Sequence, residues 1–81
     1  MFVTVCFYSY YKDLTGCAQT SEEIAPGSSI ELLFQKVAER FPKLAALRKS
    51  TLIAVGVDYQ DSNYVLQEGD QVSLFPPVQG G

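Results

Sequence analysis

The sequence predicts an α+β domain in which a mixed sheet of four to five strands packs on one main helix. Three observations carry that expectation. Ile30, Leu33, Phe34, Val37, Ala38 and Phe41 recur at helical spacing and form one apolar stripe. Residues 2–10 and 51–57 are apolar on both alternating faces, the pattern of strands that are central in a sheet or covered on both sides. A last apolar run, Gln71–Phe75, meets Pro76-Pro77, which must end a strand. With one helix for the whole sheet, one sheet face is left without a helical cover.

Taken in order, Val3, Val5 and Phe7 share one face of the first strand, and Phe2, Cys6, Tyr8 and Tyr10 share the other. Tyr11–Thr15 can form one helical turn closed by Gly16, with Leu14 pointing inward and Lys12 beside Asp13 as a solvated pair. Thr20, Glu22 and Ile24 alternate with Ser21, Glu23 and Ala25, a short second arm of a hairpin, and Pro26-Gly27 ends it in a turn. The main helix is expected from Ser29 to about Phe41, with Ser28 as N-cap and Glu31 closing a capping box. Lys36 and Arg40 fall near its C-terminal end, where cations suit the helix dipole, and Pro42 stops it. Leu44 and Leu47 are expected to plug one end of the core from an irregular or short helical segment. A weak strand or turns occupy 59–66, and Gly69 takes positive φ in the turn Gln67-Glu68-Gly69-Asp70.

Composition narrows the function classes. The chain has 81 residues, enough for one small domain, and is 47% hydrophobic and 19% charged, which is globular. Its net charge of −3 and its six scattered basic residues exclude a nucleic-acid footprint and instead permit basic protein partners. It contains no histidine and no cysteine pattern with metal spacing, so neither imidazole catalysis nor a zinc site is expected. Cys6 reads as a small buried hydrophobe; a disulfide with Cys17 stays open. Without a signal peptide or an apolar run that could span a membrane, the expected location is the cytoplasm.

The chemistry is expected in the last residues. The domain is assigned to 1–75 and an extended tail to 76–81. Pro76 and Pro77 fix two φ angles and favour an extended, stiff exit. Val78 and Gln79 follow, and Gly80 and Gly81 carry no Cβ, so they can thread a narrow channel. The tail could reach about 20 Å, enough to enter a partner's cleft. A terminal carboxylate on an unbranched glycine can be coupled to AMP and then attacked from either side by a sulfur donor or an amine. The aromatics Phe2, Tyr8 and Phe75 on the uncovered face mark a candidate partner interface.

The segment Phe75-Pro76-Pro77-Val78-Gln79-Gly80-Gly81, following Glu68-Gly69-Asp70-Gln71-Val72, resembles the end of the small, sulfur-carrier subunits of molybdopterin synthase. Phe7-Tyr8-Ser9-Tyr10-Tyr11-Lys12-Asp13-Leu14-Thr15-Gly16 is similar to the strand and basic-acidic-Leu-x-Gly turn of the same family. The resemblance implies a ubiquitin-like β-grasp fold. It implies that Gly81 is adenylated by an ATP-dependent ubiquitin-activating-like adenylyltransferase and receives sulfur from a donor protein as a thiocarboxylate. The loaded tail would then give sulfur to cyclic pyranopterin monophosphate in the large subunit, within a heterotetramer. Gly81 and Gly80 would be the active tail, and Phe75 and Val78 resemble the family's docking residues; with Pro76, Pro77 and Gln79 of the tail, Tyr8 of the uncovered face and Lys12, they make up the expected partner contacts. No cofactor would be held permanently; the AMP adduct and the sulfur at Gly81 are transient. Acid and base groups would come from the partner, so this chain alone is a carrier. Gln79 departs from the small residue common there, and Gly56-Val57-Asp58 from a hairpin Asn. The rival readings are a sulfur carrier for thiamine thiazole or tRNA thiolation, a protein modifier of the ubiquitin kind, and a binding module with an idle tail.

Overall fold

Each strand forms where alternation supplies an inner apolar row, and each ends where a turn residue interrupts it. In the computed structural model, which describes residues 1–77, the order is β1 (Phe2–Phe7), α1 (Tyr11–Thr15), β2 (Gln19–Glu23), α2 (Ile30–Arg40), a 3₁₀ segment (Pro42–Ser50), β3 (Leu52–Val55), β4 (Asp58–Tyr59) and β5 (Gln71–Phe75). The strands form one sheet in the order β2-β1-β5-β3-β4. β1 and β5 lie side by side and parallel at its centre; β1–β2, β3–β5 and β3–β4 are antiparallel. This is the ubiquitin-like β-grasp architecture, with α2 across one face.

The inner row is the one the alternation indicates. Val3, Val5 and Phe7 of β1, Val72 and Leu74 of β5, and Ile53 and Val55 of β3 are buried against Ile30, Leu33, Phe34 and Val37. The remaining gap between helix and sheet is about 10 Å³ and wholly apolar in lining, so the core is close-packed. Leu44, fully buried in the 3₁₀ segment, closes one end of it, with Leu47 partly buried beside it.

Four local expectations need correction. The α2 cap is Ser29, whose Oγ accepts from the Leu32 N–H at 3.3 Å. Ser28 instead donates its hydroxyl to the Ala25 carbonyl at 2.6 Å and belongs to the turn, so the capping box with Glu31 is not made. The loop before β5 takes over that work: the Ile30 and Glu31 amides donate to the Tyr64 and Ser62 carbonyls, so the first free helix donors are all satisfied. Next, the strand expected over 51–57 stops at Val55, because Gly56 at φ 62 turns the chain and leaves Val57 96% exposed. In 59–66 only Tyr59 joins the sheet, and Val65 makes a single bridge to Ser29. Finally, the first strand, expected over 2–10, ends at Phe7, because Ser9 at φ 56 turns the chain into α1, where Tyr11 is fully buried and Leu14 packs against the core as expected.

Candidate protein-docking face and tail root

The uncovered sheet face follows from the same register. Cys6, Ser73 and Ala54 sit side by side in one row across β1, β5 and β3, continued by Gln19 on one flank and Tyr59 on the other. All three central residues are small, and all three are buried by their neighbours alone. They make a shallow floor.

The next row supplies a wall. Tyr8 and Phe75 stack with ring centroids 4.6 Å apart and planes 14° apart. Tyr59 meets Phe75 edge-on at 6.3 Å. Such pairs are favourable beyond their buried area. Tyr8 is 39% and Tyr59 68% exposed, so the cluster offers apolar surface to a partner while holding its own shape. Phe2, also exposed, stands at the far end of the same face.

The tail starts inside this cluster. Phe75 is the last strand residue, paired with Leu52 of β3. Half-buried Pro76 and exposed Pro77 follow, and neither has an amide hydrogen to extend the ladder. Val78, Gln79, Gly80 and Gly81, four of the expected tail residues, lie outside the described residues.

α1 is fixed beside the tail root by the turn after Tyr8. Ser9 adopts φ 56, and the Tyr11 and Lys12 amides donate to the Tyr8 and Ser9 carbonyls. Tyr11 then reaches inward to Thr51 at 2.8 Å. The Thr51 hydroxyl gives its hydrogen to the Leu47 carbonyl at 2.7 Å, so the Tyr11 hydroxyl is the donor in the pair. Burial pushes the Tyr11 hydroxyl above the usual tyrosine range, and nearby Tyr10 adds to the rise. This bond ties α1 to the start of β3. Lys12 is exposed on α1, at the same end as Tyr8 and Phe75 but outside the aromatic cluster.

The chemistry available is that of recognition. Burial raises the Cys6 thiol, so it is a poor source of thiolate, and both cysteines are free. No group of three metal-ligating side chains exists among the described residues. No helix among them is long and apolar enough to cross a membrane. The sequence pattern brought Tyr8 and Phe75 together correctly. It missed Tyr59, whose two-residue strand is too short for alternation to show, although an aromatic after a Gly-x-Asp turn is a usable signal.

Comparison with known proteins agrees with this geometry. Residues 5–81 match the model of the ThiS family. The molybdopterin synthase sulfur carrier subunit of Escherichia coli is 33% identical over 98% of this chain and 99% of its own length. The human protein of the same name is 28% identical over 98% of this chain and 93% of its own. Among solved structures, a chain of the complex of subunits 1 and 2 of the molybdopterin-converting factor from Helicobacter pylori superposes with a TM-score of 0.71 at 24% identity, over 100% of both chains. Small archaeal modifier protein 1 of H. volcanii gives 0.86 at 13% identity, over 95% of this chain and 98% of its own, which shows a shared fold. With the match running from the middle of β1 through residue 81, this chain belongs to the ThiS family, and its curated relatives are molybdopterin synthase sulfur carrier subunits.

Proposed function

We propose that this chain is the sulfur carrier of a molybdopterin synthase and that the Gly81 carboxyl carries the sulfur. The observation that supports this best is the near-complete alignment with carrier subunits of that enzyme. The aromatic cluster at the root of the tail is consistent with it. The open face docks on the large subunit and leaves residues 76–81 to enter that subunit's cleft. The H. pylori structure, a complex of subunits 1 and 2 of the molybdopterin-converting factor, offers a precedent for such pairing.

The carboxylate oxygen of Gly81 attacks the α-phosphate of ATP and expels pyrophosphate, which makes a good leaving group of AMP. A persulfide of a donor protein displaces AMP to form an acyl disulfide, and a thiol then attacks the donor's sulfur, so that the donor leaves as a disulfide and Gly81 keeps the thiocarboxylate. Its sulfur, largely ionised at neutral pH, then attacks a carbon of cyclic pyranopterin monophosphate in the large subunit and displaces an oxygen substituent there; water cleaves the resulting thioester, so the sulfur stays on the pterin and Gly81 returns to a carboxylate. Gly80 and Gly81 suit a narrow channel because they carry no side chain. The acid, base and anion-stabilising groups are the partner's. The heterotetramer and the cytoplasmic setting belong to the same proposal.

Deletion of Gly81 tests it. The shortened chain is expected to fold, to bind the large subunit, and to transfer no sulfur. Fragment mass spectrometry of the wild-type chain is expected to place one oxygen-to-sulfur exchange on Gly81. Full transfer by the shortened chain overturns the reading, and a ladder of Gly81 isopeptides on target lysines reassigns the chain to protein modification.

A further inference from the structure

β2 is an edge of the sheet, paired with β1 on one side. Which of its backbone groups are used follows from β1. The Thr4 and Tyr8 amides donate to the Asp70 and Leu74 carbonyls, and the Phe2 carbonyl accepts from Gly69, so Phe2, Thr4, Cys6 and Tyr8 turn their backbone toward β5. Their partners on β2, namely Glu23, Ser21 and Gln19, therefore stand in the pairs without ladder bonds. The Phe7 amide on the Ala18 carbonyl and the Ile24 amide on the Met1 carbonyl mark the alternate, bonded set. Gln19, Ser21 and Glu23 thus point their amides and carbonyls away from the sheet. The Glu23 carbonyl accepts from the Lys36 ammonium, and the others have no partner among the described residues.

The space beside this edge has a definite chemistry. Between the end of β2 and the first turns of α2 lies a shallow groove of about 580 Å³, with Ile24, Ala25, Pro26 and exposed Leu32 as apolar lining and Lys36 at its side. Arg40, one turn further on, donates to the Thr20 hydroxyl at 3.1 Å, pairs with Glu22 and stays 49% exposed. The Met1 ammonium, on the Ile24 carbonyl at 2.8 Å, has the same sign. The carboxylates nearby leave these cations in excess. Buried Glu22 is matched by Arg40. Glu23 alternates with it, so its side chain lies on the opposite sheet face. Glu39 lines the other flank of α2 with Ala45 and Arg48, and Glu68 binds the Phe2 amide on the β5 side of β1.

We propose that the β2 edge and this groove bind an extended acidic segment of a partner protein, which adds a sixth strand to the sheet. The segment pairs with the outward amides and carbonyls of Gln19, Ser21 and Glu23. On the face turned to α2, an apolar side chain covers Ile24 and Leu32, and carboxylates meet Lys36 and Arg40. Lys36 then exchanges the Glu23 carbonyl for a carboxylate. The net charge of −3 points to basic partners, but at this edge the local cations select the opposite sign. A second copy of the chain is disfavoured, because pairing β2 with itself about Ser21 lines up Lys36 and Arg40 of both copies on one face. The groove opens on the helix side of the sheet, away from the Tyr8–Phe75–Tyr59 cluster and the tail. The site therefore stands apart from the carrier reading and can be filled while the other face is engaged.

The test titrates the labelled full chain with acetyl-Thr-Leu-Thr-Asp-Thr-Asp-Thr-amide and with the reversed sequence, followed by amide NMR. With one of the two, saturable shifts and slowed exchange are expected at the amides of Gln19, Ser21 and Glu23. Ser21→Pro removes an outward amide and no bond to β1, so it is expected to keep the fold and to weaken binding about tenfold or more. Lys36→Glu, on the exposed helix surface, decides should the proline disturb folding. It is expected to weaken binding about tenfold at low salt and to come within about twofold of wild type near 1 M salt. The peptide with lysine in place of aspartate is expected to give no saturable shift. No saturable shift with either acidic peptide, shifts confined to Tyr8, Tyr59 and Phe75, equal binding of the lysine peptide, or undiminished binding by Lys36→Glu overturns the proposal. So does a dimer of the free chain that Ser21→Pro abolishes. Deletion of Gly81 is expected to leave the titration unchanged, so this inference and the carrier reading fail separately.

Discussion

At the residue scale, the Tyr11–Thr51 bond shows how one buried polar pair fixes the surroundings of the tail. Tyr11 has no exposed surface, and its hydroxyl has Thr51 as its partner. Tyr11→Phe keeps the ring and removes one hydrogen bond, while Thr51 keeps its bond to Leu47. The expected cost is about 1 kcal/mol in urea unfolding. The pH dependence has a definite sign. The folded-state Tyr11 value is raised, so its contribution is whole below the unfolded tyrosine value of about 10 and is lost as pH rises through the folded value. Buried Cys6 acts in the same direction from its lower starting point. Stability is thus expected to fall on the alkaline side, and Tyr11→Phe to remove the later part of that fall. A melting-temperature series across alkaline pH, with the wild-type chain and Tyr11→Phe, checks it.

At the element scale, α2 is held at both ends by contacts remote in sequence. Its first amides are capped by the loop from Ser62 to Tyr64 together with Ser29. Near its last turn Arg40 pairs with the buried Glu22 of β2 and lies over the Phe41 ring, which fastens the edge strand to the helix. Glu22 Oε1 has no hydrogen-bond partner among the described residues, so the pair fixes position more than it stabilises. Ser29→Ala is expected to cost about 1 kcal/mol and to increase amide exchange in the first turn of α2. Ser28→Ala is expected to loosen the Pro26-Gly27 turn and to leave that first turn protected. Reversed exchange patterns would restore the Ser28 cap. The helix itself was legible because its stripe repeats over three turns. The cap was not: Ser28 and Ser29 are chemically equal in sequence, and only the loop that reaches back from 62–66 selects between them.

For the whole molecule, a single helix on a five-stranded sheet dictates the rest. One face becomes core, the other stays available, and the central parallel pair β1–β5 delivers Tyr8 and the tail to the same end. Tyr8→Ala and Phe75→Ala each remove half of the aromatic stack. Because Tyr8 is well exposed, Tyr8→Ala is expected to lower folding stability by less than about 1 kcal/mol. Its expected loss in affinity for the large subunit is about 2 kcal/mol, roughly thirtyfold, read by calorimetry. Unchanged affinity in both variants would move the docking site off this face.

The alternation of apolar residues, the helical stripe and the proline pair determined by themselves that this chain makes one main helix, a sheet with one bare face, and a strand that ends at the tail. Those features are local, set by side-chain direction along a single segment. Tertiary structure alone decided that Tyr59 joins Tyr8 and Phe75, that Tyr11 is core, and that Ser29 rather than Ser28 caps α2. Each of these brings together residues far apart in sequence, and only strand pairing and turn geometry place them side by side.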